Sequence, residues 1–151
     1  MDKILLDTNI VLRLYKTDLP MHIVVRQAIP ILKELNYEIC IVPQNIYEFW
    51  AVASRPIEAN GLNWDNQLIN AEIDFLVNRF CLLIESSNVY MNWLKLVTKY
   101  DIKGKKAHDT RLVASMLANG ISKVLTFNTV DFKIYSEIEA INPMDINGIA
   151  S

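Results

Sequence analysis

Four acidic residues of this chain stand in surroundings where acids are uncommon. Asp7 ends a short apolar run, and Glu48 lies inside the bulky stretch at residues 46–50. Asp109 opens a mostly apolar helical pattern, and Asp131 follows a strand-like run. Carboxylates that meet at one place repel one another unless a cation is present. Oxygen ligands favour Mg²⁺ or Mn²⁺ over zinc, and such an ion activates water and neutralises charge on a phosphate. The pattern therefore predicts metal-assisted phosphoryl chemistry.

Each of these acids also has a simpler structural explanation when it is taken alone. Asp7 fits a strand-end turn or a helix cap, and Asp109 fits a first helical turn, where the helix dipole favours acids. Glu48 could pair with Arg55, and Asp131 could cap a helix. Because four such coincidences would be needed at matching ends of elements, the shared site is the better interpretation.

Basic residues adjoin Asp109 in the sequence. Lys105 and Lys106 precede it, and Arg111 follows it. We expect these three to form a positive rim that contacts phosphates, although a solvated loop explains them equally well. The three tryptophans could stack on bases, but their helical spacing favours core packing.

The apolar patterning predicts the elements that must position these groups. Strands are expected at residues 3–6, 38–42, 81–84, 124–126 and 139–141, and helices at 9–16, 21–35, 43–53, about 64–80, about 90–102 and 107–119. Pro30 should kink or divide the second helix, Asn63 should cap the helix after it, and Gly120 should end helix 107–119. Strands that alternate with helices predict an α/β fold with a mainly parallel sheet.

This topology gives the acids a reason to meet. Asp7 stands at the carboxyl end of its strand, and Asp131 comes just after another strand. Crossover helices run antiparallel to the strands, so their first turns lie at the same edge. Asp109 is in such a first turn, and Glu48 comes shortly after one, with its side chain leaning back toward the helix N-terminus. The expected site is one crevice at that edge, where open α/β sheets bind ligands.

Composition sets broader limits. The 151 residues, 52% of them hydrophobic, suit a single domain over 1–151 with a filled core. No apolar run reaches the roughly 20 residues of a membrane span, and the first residues lack the features of a signal peptide, so we expect a cytoplasmic protein. A net charge of -2 neither indicates nor excludes nucleic acid. Cys40 and Cys81 lie in separate apolar runs, whose spacing predicts buried free thiols and no zinc site.

Four ordered motifs resemble the PIN-domain family, and especially its VapC-type toxin ribonucleases. They are LDTNI at 6–10, NIYEF at 45–49, AHDTRLVA at 107–114 and LTFNTVDF at 125–132, with a loop after the glutamate helix that is also similar. The resemblance implies a three-layer α/β/α fold with a mainly parallel sheet of four to five strands. It also implies endonucleolytic cleavage of RNA with Mg²⁺ or Mn²⁺, leaving a 5′ phosphate and a 3′ hydroxyl.

The family roles transfer to residues of the four motifs. Asp7 and Asp109 would be the principal metal ligands, and Glu48 a ligand or the residue that positions the attacking water. Many relatives carry an acid where this chain has Asn128, so Asp131 must supply the fourth carboxylate and metal ligand, while Asn128 supports the site. Hydrogen bonds from Thr8, Asn9 and Thr126 would complete that support.

The resemblance further implies a small antitoxin partner and a homodimer. One alternative is a catalytically weak PIN scaffold that binds RNA or a protein. Another is a phosphatase with Asp7 as nucleophile, which is disfavoured because Asn9 stands where a second aspartate is wanted.

Overall fold

The computed structural model describes residues 1–18 and 20–149 and is organised around a five-stranded sheet. The strands are β1 (Asp2–Leu6), β2 (Tyr37–Ile41), β3 (Cys81–Leu82), β4 (Lys123–Leu125) and β5 (Glu139–Ile141). They pair in the order β3-β2-β1-β4-β5, and every pairing is parallel. The predicted three-layer α/β/α fold is confirmed, with all five expected strands in place.

Helices connect the strands and cover both faces of the sheet. They are α1 (Thr8–Arg13), α2 (Met21–Glu34), α3 (Pro43–Ser54), α4 (Asn66–Arg79), α5 (Ser87–Lys99), α6 (Lys106–Ala118), α7 (Thr129–Phe132) and α8 (Pro143–Ile149). A short 3-10 turn, Ile57–Ala59, lies in the predicted loop after α3.

Two local predictions need correction, and one is confirmed. Pro30 does not divide α2, since the apolar face of that helix stays packed on the core through Leu32. Asn63 is not the cap of α4: it adopts a left-handed turn with φ 56°, and the carboxylate of Asp65 accepts from Leu68 N at 2.9 Å instead. Gly120, at φ 67°, ends α6 as predicted.

The core is divided by the sheet into two apolar clusters. Ile4, Leu6 and Ile41 face a cluster built with α2, α3 and α4, whereas Leu5 and Val124 face one built with α5 and α6. A parallel strand is covered on both faces, which explains why β1 reads as an unbroken apolar run.

The tryptophans belong to this packing, as predicted. Trp64 lies edge-on to Tyr15 and Phe49, with ring centroids 5.5 and 6.0 Å apart. Trp50 packs against the first cluster and Trp93 against the second.

The strand order places a topological switch point between β1 and β4. From β1 the chain first builds outward to β2 and β3 and then returns to the other side of β1 for β4 and β5. Loops that leave β1 and β4 therefore part in opposite directions and open a crevice between their carboxyl ends. The bond from Asp7 N to Leu125 O, at 2.9 Å, holds the two strand ends together at this point.

The two cysteines are neighbours in the fold, although 41 positions separate them in sequence. Both are free thiols, Cys40 buried and Cys81 half-buried, but they face each other across β2 and β3. Glu38 completes a group whose ligand atoms all lie within 4.8 Å of one another. The prediction of free thiols is confirmed, whereas their pairing across two strands could not be read from their spacing in the sequence.

None of the helices in residues 1–18 and 20–149 is both long and apolar enough to cross a bilayer.

Candidate active site

The crevice at the switch point contains all four predicted acids. Its volume is about 240 Å³, and it is lined by Asp7, Thr8, Asn9, Leu12, Glu48, Val52, Asp109, Asn128, Asp131 and Phe132. The acids come from four different elements: the end of β1, the middle of α3, and the first turns of α6 and α7. Convergence of residues so far apart in sequence is what the topological argument predicted.

Asp7 is held by hydrogen bonds to both carboxylate oxygens. Its Oδ1 accepts from Thr8 N at 2.7 Å and its Oδ2 from Thr126 Oγ1 at 2.8 Å. The residue follows β1 in an extended conformation and is the N-cap of α1. The capping explanation is confirmed, and it is compatible with a role in the site, since the capping residue also lines the crevice.

The surroundings of Asp7 favour its neutral form when no cation is present. Burial raises the pKa of this carboxyl to about 6, and the charges of Glu48 and Asp109 push in the same direction. The hydrogen bonds from Thr126 and Thr8 stabilise the carboxylate and oppose the rise of the pKa. A cation in the crevice would reverse this balance, because it attracts the same negative charge that the acids repel.

Thr126 is fully buried and organises one wall of the crevice. While its hydroxyl donates to Asp7, the same oxygen accepts from the backbone N–H of Asn128 at 3.0 Å and from Asn9 Nδ2 at 3.4 Å. The predicted supporting roles of Thr126 and Asn9 thus have a geometric counterpart. Asn128 contributes through its backbone, while its side chain lines the crevice.

Asn45 also supports the crevice, through its hydrogen bond to Thr8, and the sequence did not predict this role. It is 1% exposed; its Oδ1 accepts from Val42 N at 2.8 Å, and its Nδ2 donates to Leu6 O and Thr8 Oγ1, each at 3.0 Å. The Thr8 hydroxyl in turn donates to Glu48 Oε1 at 3.1 Å. Asn45 therefore ties the end of β1 to the start of α3 and orients Glu48 through Thr8. The available signal was an asparagine in the first turn of α3, three residues before Glu48.

Asp109 and Asp131 form the second acidic pair. Partial burial raises the pKa of Asp109, and the charge of Asp131 adds to the effect, whereas Lys106 and His108 lower it. Both residues line the crevice, so a cation there would be attracted to both carboxylates.

The spacing of the crevice acids suits an ion that keeps part of its water shell. Within the described part of the chain, no three of their oxygens, taken one per residue, all lie within 4.8 Å of one another. Mg²⁺ usually takes one or two carboxylates directly and retains several waters. Asn9 Oδ1 is buried without a hydrogen-bond partner and so leaves an acceptor for such a water. The donor set, oxygen only, fits Mg²⁺ or Mn²⁺.

The predicted positive rim is only partly assembled beside the acids. Lys106 is near enough to Asp109 to lower its pKa, and Lys105 is exposed just before α6. Arg111 instead pairs with Glu85 and lines a separate pocket of about 330 Å³ next to Trp93. None of the three lines the acidic crevice, and their contact with substrate stays a prediction.

A family model described as PIN domain matches residues 4–137. No curated protein sequence matches the chain significantly.

Several solved structures are similar over nearly the whole chain. VapBC2 from Rickettsia felis, bound to a DNA fragment from their promoter, has a TM-score of 0.71 at 16% identity, covering 93% of this chain and 98% of that chain. VapBC-1 from nontypeable Haemophilus influenzae has a TM-score of 0.69 at 16% identity, with the same coverage of 93% and 98%. A toxin–antitoxin complex from Klebsiella pneumoniae has a TM-score of 0.64 at 18% identity, covering 92% and 96%. At these identities the likeness is one of fold.

Proposed function

This chain belongs to the PIN domain family, and from that premise we propose that it is a divalent-metal-dependent endoribonuclease, the toxin of a toxin–antitoxin pair. The observation that carries the proposal is the crevice at the β1–β4 switch point, which gathers four carboxylates from four elements. A set of acids that raises the pKa of its own members is unfavourable for stability, and cation binding gives a reason for its presence.

Each residue of the site has a distinct task in the proposed reaction. Asp7, Asp109 and Asp131 would hold Mg²⁺ or Mn²⁺, directly or through water, and the ion would supply Lewis acidity for water and for the charge that develops on the phosphate. Asp7 is oriented by Thr8 and Thr126, so one lone pair on each oxygen remains for the ion. Glu48, held by the Thr8 hydroxyl, positions the attacking water and accepts its proton.

RNA is the proposed substrate on the strength of family membership and of the basic residues around the start of α6. Lys105 is exposed and Lys106 half-buried at the start of α6, three to four residues before Asp109, and we expect them to contact phosphates that flank the scissile bond. Replacement of Lys106 by alanine should weaken RNA binding and lower the slope of log affinity against log salt by about one. The matched variant Arg111→Ala tests whether the separate pocket beside Trp93, which Arg111 lines, also contributes to RNA binding.

The decisive experiment is cleavage of total cellular RNA by purified protein. We expect cutting with Mg²⁺ or Mn²⁺ and none with EDTA, with 5′ phosphate and 3′ hydroxyl ends. Asp7→Asn and Asp109→Asn should each abolish it, whereas Asp18→Asn, an exposed acid outside the crevice, should leave it unchanged. Products with a 2′,3′-cyclic phosphate would contradict metal-activated water as the nucleophile. RNA binding without any cutting by the folded, metal-loaded protein would favour the alternative of a catalytically weak PIN scaffold.

The toxin role is proposed for the cytoplasm, with a small protein antitoxin covering the crevice and with a homodimer as the active assembly. It is supported by structural similarity to VapBC complexes. Expression of the chain alone should arrest growth, and expression of Asp7→Asn should not. Light scattering on the purified protein measures the oligomeric state, and a monomeric mass would refute the homodimer.

A further inference from the structure

The cysteine pair between β2 and β3 is outside the acidic crevice and is unused by the proposed nuclease. Cys40 and Cys81 are register partners on adjacent parallel strands, and Glu38 lies two residues before Cys40 on the same face of β2. One ligand atom from each of the three residues lies within 4.8 Å of the other two. We propose that Glu38, Cys40 and Cys81 form a second metal site, which takes one thiophilic divalent ion of the zinc class per chain.

The geometry needs little adjustment to close around such an ion. Zn–S bonds of about 2.3 Å and Zn–O bonds of about 2.0 Å in a tetrahedral site place ligand atoms roughly 3.5–4 Å apart. The ligand atoms of the three residues already lie within 4.8 Å of one another, so small side-chain rotations are enough to reach these separations. Cys40 is fully buried, whereas Cys81 and Glu38 are only half-buried. An ion can therefore enter from the Cys81 and Glu38 side, and water can occupy a fourth position.

The local charge also matches a divalent ion. Lys3 is the register partner of Glu38 on β1, and its positive charge partly opposes the rise that burial causes in the pKa of both thiols. With the carboxylate and two thiolates as ligands, the Lys3 ammonium leaves two negative charges for the ion to neutralise. Burial raises the pKa of Cys40 to about 12 in the metal-free chain, so the thiols are neutral there and binding releases their two protons.

Such an ion would act on the weakest strand of the sheet. β3 has two residues and lies at the sheet edge, joined to β2 by pairing at Cys40 and Ile41 and by the bond from Leu83 N to Ile41 O at 2.9 Å. A metal bridge from β2 to β3 would add a link there. We expect metal binding to raise the melting temperature, independently of any nuclease activity.

The test uses Co²⁺ and Zn²⁺ with the fully reduced chain at about pH 8. Thiolate ligation of Co²⁺ produces an ultraviolet sulfur-to-metal charge-transfer band, which the oxygen ligands of the acidic crevice cannot produce. We expect the band to saturate at one ion per chain and to disappear when Zn²⁺ displaces Co²⁺. Asp7→Asn serves as the matched control, in which the band should be unchanged.

Variants of Cys81 and Glu38 test the contributions of these two ligands one at a time. Cys81→Ser, at a half-buried position, should abolish the band without unfolding the chain, and Glu38→Gln should weaken Co²⁺ binding by at least about tenfold. The proposal is overturned if the reduced wild type shows no band while both thiols remain titratable, or if the band survives in Cys81→Ser. Formation of a Cys40–Cys81 disulfide that excludes the ion even under reductant would also overturn it, in favour of a redox pair.

Discussion

Replacement of Asp7 by asparagine should stabilise the metal-free protein at pH 8 even though it abolishes cleavage. Asp7 has its pKa raised from the ordinary 3.8 to about 6, mainly by burial and further by Glu48 and Asp109. A carboxyl with a raised pKa adds no penalty below pH 3.8, where it is protonated in both the folded and the unfolded chain. As the pH rises from 3.8 to about 6 the carboxyl ionises in the unfolded chain but keeps its proton in the folded chain, so stability falls over this range and levels off above it.

The magnitude follows from the two pKa values. Each pH unit between 3.8 and about 6 corresponds to about 1.4 kcal/mol, so the folded wild type carries a penalty of about 3 kcal/mol at pH 8. Asparagine removes the ionisation but forces Thr126 to give up its hydrogen bond to a carboxylate, at a cost of roughly 1 kcal/mol. We therefore expect Asp7→Asn to be more stable than wild type by about 2 kcal/mol at pH 8 and less stable by about 1 kcal/mol at pH 3.

Urea denaturation in EDTA at several pH values measures this difference. Asp18→Asn is the control, since it replaces an exposed carboxylate outside the crevice. Saturating Mg²⁺ should then stabilise the wild type and leave Asp7→Asn unaffected, because an ion that binds only the folded state adds to its stability. If the stability difference between Asp7→Asn and wild type does not change with pH, the electrostatic account of this site is wrong.

Three further substitutions test two residues that support the crevice and one close contact in the loop after α3. Asn45→Ala should lower the free energy of unfolding by about 2–4 kcal/mol, because it leaves a buried N–H and a buried carbonyl unpaired; an unchanged urea midpoint would show that the network is dispensable. Thr126→Val removes a donor to Asp7 and should move the acid limb of the cleavage pH profile upward by about 1–2 pH units; a profile that stays in place or moves down refutes this. Gly61→Ala should destabilise the fold by more than about 1 kcal/mol, since a Cβ at Gly61 would stand 2.2 Å from Arg55 O. Thermal melts of the variant and the wild type measure this difference, and equal melting temperatures would contradict the prediction.

Residue pattern alone determined most of the fold and the four acids of the site. Alternating apolar runs placed all five strands, and the order of strand and helix required a parallel sheet with its site at the carboxyl edge. Because parallel topology brings strand ends and helix starts together whatever the detailed packing, Asp7, Glu48, Asp109 and Asp131 could be assigned to one crevice in advance.

Only the tertiary structure decided which polar groups pair within that frame. Asn45 reaches Thr8 across 37 positions, and Arg111 turns to Glu85 rather than to the crevice. Cys40 meets Cys81 because β2 and β3 pair in one particular register. These contacts depend on register and on the direction of single side chains, and a shift of one residue along a strand sends a side chain to the opposite face. Periodicity in a sequence records which face of an element is buried, but not which residue of a distant element it will contact there.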